Sequence, residues 1–160
     1  MANTILGDTL LQFLQCLHEP GTIIELRTID KHKGKIQSGY YDNFEALIQE
    51  AVKLDGSVDG LYITAHQINP YAISTELNQN PVFKNKTTSN SDISHYNCLF
   101  IDIDPVRNSD TPSNEEEKNA AIELAYKIRE FLFELDWPEP VIGMSGNGSC
   151  LRANMVNKAT

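Results

Sequence analysis

The sequence predicts an α+β fold, and three observations carry that expectation. Apolar residues recur at helical spacing in three stretches, β-rich runs lie between turn signals, and the two kinds alternate irregularly along the chain. Residues 8–18 read as a helix, with Asp8 as cap and Leu10, Phe13, Leu14 and Leu17 on one face. "GTIIELRTI" (21–29) is a strand, and "KIQSGYYDN" (35–43) is a second that pairs back on it as a hairpin. "NFEALIQEAVKL" is a helix capped by Asn43, its stripe formed by Phe44, Leu47, Ile48, Ala51 and Leu54. "GLYITAHQI" (60–68) is a third strand. Residues 69–96 are polar and turn-rich, a length usually functional or mobile. "NCLFIDIDP" is a short buried strand. The longest helix lies within 111–137, with Ser113 and Glu116 as a capping box and three Glu near its positive end. Ile122, Ala125, Ile128, Phe131, Leu132 and Leu135 form its apolar face. Pro138 and Pro140 end it, and "PVIGMSG" is the last strand expected.

At 160 residues the chain has the length of a single domain, 1–160, and its 41% apolar content suits an ordered core. No apolar run reaches the roughly 18 residues of a membrane span, and the first residues lack a charged leader. Cys16, Cys98 and Cys150 are scattered without a CxxC pair, so reduced thiols and a cytoplasmic setting are expected. A net charge of −9 counts against tight nonspecific binding of DNA by this chain alone. Two basic clusters stand out, Arg27 with Lys31, Lys33 and Lys35, and Lys84 with Lys86; such clusters are more often solvated surface than a binding track.

The strongest chemical feature is "LFIDIDPVR". Side chains at i and i+2 of a strand share a face, so Asp102 and Asp104 project together, about 6–7 Å apart, while Ile103 turns inward. Two such carboxylates repel unless a cation lies between them, and oxygen donors suit Mg²⁺ or Mn²⁺. Pro105 ends the ladder and sets the pair at the strand's end. An Asp-x-Asp can also be an ordinary turn or cap, but here an apolar run leads straight into it. "MSGNGSC" is the second feature. Gly146 and Gly148 free the backbone for an anion-binding nest, although Gly-Asn-Gly is equally an ordinary hairpin turn. The four histidines show no ligand spacing.

These segments are similar to a known family. "IELRTI", "SGYYDNFEALIQEAVKLDGSVDGLYIT", "INPYAI", "KTTSNSDI", "LFIDIDPVR" and "LDWPEPVIGMSGNG" stand in the order seen in the archaeo-eukaryotic primase superfamily, and most resemble the primase-polymerase domains of phages, plasmids and mobile elements. The resemblance spans about residue 20 to residue 151. It implies an N-terminal αβ unit beside a sheet like that of an RNA-recognition motif, here incomplete. It further implies metal-dependent, template-directed nucleotidyl transfer, with Asp102 and Asp104 as catalytic and metal-binding acids. Ser145, Gly146, Asn147, Gly148 and Cys150 fall on the nucleotide-binding segment, and nucleoside triphosphates, a DNA template and a helicase are the implied partners. Cys150 stands where the family has a histidine, and a third acid on a later strand has no counterpart in the polar "RANMVNKAT". The expectation is therefore an amino-terminal remnant, incomplete or inactive as a primase by itself. A non-catalytic nucleotide- or DNA-binding relic is the alternative. A phosphatase of the haloacid-dehalogenase type, with Asp102 as nucleophile and Asp104 as acid, is a further one.

Overall fold

The structure, a computed structural model, describes residues 2–30, 35–83, 87–108 and 111–155. It is a mixed α and β protein whose chain divides into two compact units, Met1–Tyr96 and Asn97–Thr160. Among the described residues no helix is long and apolar enough to cross a membrane.

The first unit opens with helix α1 (Ala2–Leu17), which starts earlier than the stripe predicts. Strands β1 (Ile24–Asp30) and β2 (Lys35–Tyr41) form the expected antiparallel hairpin, in register from Ile24 opposite Tyr41 to Asp30 opposite Lys35. Helix α2 (Phe44–Leu54) begins at Asn43, whose Oδ1 accepts from the N–H groups of Glu45 and Ala46 at 2.8 and 3.2 Å. Alternation decides the packing: Ile24 and Leu26 meet Leu14, Leu47 and Ala51 from the two helices, with Tyr41 beside them. The opposite face buries Ile23, Tyr40 and Ile68.

That opposite face also carries a charge. The Glu25 side chain is fully buried, and its carboxylate accepts from Arg27 at 3.2 and 2.7 Å and from the Ser38 hydroxyl. The first basic cluster therefore loses Arg27 to an internal pair. Lys31, Lys33, Lys84 and Lys86 lie outside the described residues.

The single strand expected over 60–68 is two. Strand β3 (Gly60–Ile63) pairs with β1, but the Glu25 N–H is taken by the Thr64 hydroxyl at 3.2 Å, and the chain leaves the sheet there. It resumes as β4 (Gln67–Ile68). The polar segment that follows is made of short pieces. These are a single helical turn at Pro70–Ala72, strand β5 (Val82–Phe83) on the edge of β2, another turn at Asn90–Asp92, and β6 (Ile93–His95) paired with β4. The main sheet runs β3-β1-β2-β5.

The second unit holds β7 (Cys98–Ile103), α3 (Glu115–Glu134), β8 (Val141–Met144) and β9 (Ser149–Asn154), with sheet order β7-β9-β8, antiparallel throughout. Strand β9 corrects the expectation that "PVIGMSG" is the last strand. It is the central strand, and its alternation explains why it was missed. Leu151 and Ala153 are buried, with Leu151 under α3, while Cys150, Arg152 and Asn154 turn to the other face and give the segment its polar look. Strand β7 is likewise half-buried, not buried: Cys98 and Ile103 are covered, Phe100 and Asp102 exposed. The helix cap sits one residue later than predicted. Asn114 accepts from the Glu117 N–H and Glu117 from the Asn114 N–H, both at 2.9 Å, while Ser113 is buried. Nor is the helix's apolar set one face. Ala121, Ala125 and Leu132 are buried and Ile128 packs beside them, whereas Phe131 and Leu135 stay exposed.

Candidate functional site

The antiparallel register of the second unit brings the two sequence features to one end of one sheet. Asp102 lies directly opposite Cys150, which lies opposite Gly143, so all three occupy the face away from α3. Asp104 follows the last residue of β7, and both carboxylates are exposed. Among the described residues neither takes part in an ion pair.

Residues 145–148 are the hairpin turn between β8 and β9. The Ser145 N–H donates to the Gly148 carbonyl at 3.1 Å, and the Gly148 N–H donates to Ser145 Oγ at 2.9 Å. Gly146 supplies the positive φ, +88°. Asn147 Oδ1 accepts from the Ser113 N–H at 3.2 Å, tying the turn to the segment that leads into α3. The side-chain acceptors of Ser145 and Asn147 thus hold the loop's shape. Gly148 is the point of contact with the acids: a Cβ there would lie 2.2 Å from the Ile103 carbonyl oxygen and 2.7 Å from Asp104 Oδ1. Only glycine lets the turn's backbone come so close to Asp104.

Ser149 faces the other way. It is fully buried and donates to the Gly143 carbonyl at 3.0 Å, so the nucleotide-side segment offers Gly148 and Cys150, not Ser149, to the acid face. The Cys150 thiol is pushed up by burial, with the Asp102 carboxylate adding to the shift against a backbone hydrogen bond from Gly143. It therefore stays neutral at pH 7 and brings no positive charge to the site. Gly143 makes room for it, since a Cβ there would lie 2.9 Å from Cys150 Sγ.

Arg152 is the residue sequence reasoning passed over. It lies two positions along β9 from Cys150, opposite Phe100 and Val141, and is only 6% exposed. Its guanidinium hydrogen-bonds the Cys98 thiol, whose pKa burial raises and Arg152 partly lowers, and it donates to Asn154 Oδ1. The i+2 spacing from Cys150 was the available signal, hidden because 149–154 did not read as a strand. Among the described residues no group of three or more His, Cys, Asp or Glu side chains converges as a metal site. Within the first unit His66 meets the Tyr96 ring edge-on at 4.7 Å, and His95 pairs with Ser94.

Comparison of the chain with protein-family models, with curated proteins and with solved structures finds no match in any of the three.

Proposed function

We propose that the second unit is the metal-and-nucleotide half of a primase-polymerase-like domain, binding Mg²⁺ or Mn²⁺ together with a nucleoside triphosphate. One observation supports this above the rest: Asp102, Asp104, the Gly148 backbone and Cys150 meet at the same sheet end although the two motifs are some forty residues apart. Two exposed carboxylates with no ion-pair partner among the described residues are a donor set that suits a hard divalent ion whose remaining ligands would be phosphate oxygens and water. Such an ion would neutralise the triphosphate and acidify an attacking hydroxyl. The chain's own residues orient the pair: Ile103 anchors β7 in the core between the two acids, and the Gly148 contact limits where Asp104 can swing.

Template-directed nucleotidyl transfer is the chemistry this arrangement would serve, with a DNA template and a helicase as partners. The neutral Cys150 thiol favours binding over turnover in this chain. A thiol is a weak donor and adds no charge to phosphates where an imidazolium would. The haloacid-dehalogenase-type phosphatase draws no support from the ladder, because β7 is the edge of an antiparallel sheet and not a strand of a parallel α/β core. Primer extension on a single-stranded template with Mn²⁺, run beside hydrolysis of a generic phosphate ester, separates these readings. Trace extension that is lost in Asp102→Asn agrees with the proposal; extension unchanged in Asp102→Asn, or ester hydrolysis dependent on Asp102, contradicts it.

A further inference from the structure

Helix α3 carries two apolar stripes, and only one of them is used by the sheet. Ala121, Ala125 and Leu132 are buried, with Ile128 packed beside them. A second stripe, turned about a fifth of a revolution away by helical geometry, consists of Leu124, Ile128, Phe131 and Leu135. Leu124, Phe131 and Leu135 remain 47%, 58% and 53% exposed. Single exposed apolar residues are ordinary, but three at 4-3-4 spacing with Ile128 between them form a continuous ridge of the kind helices pack through.

We propose that this ridge is the contact between two copies of the chain, packed antiparallel through α3. The spacing is its own mirror. Placing a two-fold axis midway between Ile128 and Phe131 sets Leu124 opposite Leu135 of the second copy and Ile128 opposite Phe131 of the second copy. The charges agree. Lys127 and Glu134 flank the same side of the ridge, and neither has an ion-pair partner within the chain among the described residues. In the antiparallel pair Lys127 comes beside Glu134 of the second copy, twice by symmetry. A parallel pair would put the same flank of the two copies on opposite edges of the seam, leaving Lys127 out of reach of Glu134 of the second copy. The surface therefore favours one orientation as well as one partner. The metal site plays no part in this inference.

Sedimentation equilibrium of the full chain in reducing buffer tests it. The wild type is expected to form dimers in about the micromolar range. Phe131→Glu changes an exposed residue, should fold normally by circular dichroism, and should weaken association by about 30-fold or more. Lys127→Glu and Glu134→Lys should each weaken it roughly threefold, and the two together should restore it. A chain that stays monomeric throughout, or dimers indifferent to Phe131→Glu, would overturn the proposal. Failure of the charge swap to restore association would overturn the antiparallel arrangement.

Discussion

Gly148→Ala is the substitution whose consequence the geometry states most sharply. The added Cβ would sit 2.2 Å from the Ile103 carbonyl oxygen, about 1.2 Å inside the 3.4 Å at which ordinary contact begins. The obstacle is backbone, and Ile103 is held in register opposite Ser149, so relief requires opening the end of the β7–β9 ladder. Overpacking of this kind costs about 1–3 kcal/mol, and a weakened ladder bond adds about 1, so roughly 3 kcal/mol is expected. For a unit of this size that is a fall of roughly 12–24 °C in Tm. Two neighbouring glycines calibrate the value. Gly146→Ala meets nothing within 4 Å and suffers only its φ of +88°, about 1–2 kcal/mol. Gly143→Ala meets the Cys150 sulfur at 2.9 Å, a side-chain end that can turn away, so its cost should be smaller and should vanish in the double variant with Cys150→Ala. Thermal and urea melts of the three variants give the order directly. Gly148→Ala melting with the wild type would show that the turn does not lie against β7 and Asp104.

Other consequences follow from the same contacts. The buried Tyr41 phenol, which donates to the Gln79 carbonyl at 2.8 Å, is pushed up to about 12 by burial and then by Glu50. The unfolded chain releases that proton near pH 10, so stability held below pH 10 should fall as pH rises to about 12, by roughly 2–3 kcal/mol; Tyr41→Phe should flatten that decline in pH-dependent urea melts. Glu25→Ala strips Arg27 and Ser38 of their shared acceptor and should cost about 2–4 kcal/mol, less than a fully buried pair because Arg27 is partly exposed. Burial should make alkylation of Cys150 by iodoacetamide slow at pH 7, and Asp102→Asn should speed it modestly by removing the lesser contribution of the opposing charge, as peptide mass mapping would record.

What the sequence disclosed and what it hid follow from how each residue is held. The hairpin of β1 and β2 and the Asn43 cap are local matters of period and capping, and the structure agrees with both; Asp102 is exposed on β7, and Asp104 follows just past the strand's end. Strand β9 was obscured because its buried apolar residues are Leu151 and Ala153 alone, while Ser149 and Arg152 are buried but polar, so the alternation is outweighed by polar side chains. The cap at Asn114 was missed because Ser113 offers the same chemistry one residue earlier; burial of Ser113 decides between them. The role of Gly148 could not be read at all, since its reason lies in Ile103 and Asp104, more than forty positions away.

The central claim is that Asp102 and Asp104 bind a divalent ion jointly with a nucleotide. Calorimetric titration of Mn²⁺ with a nucleoside triphosphate into the wild type, Asp102→Asn and Cys150→His tests it most directly. The account predicts saturable binding by the wild type, loss in Asp102→Asn, and several-fold tighter binding in Cys150→His, where an imidazole replaces the neutral thiol. Binding that survives Asp102→Asn unchanged, or no binding by any of the three proteins, would contradict it.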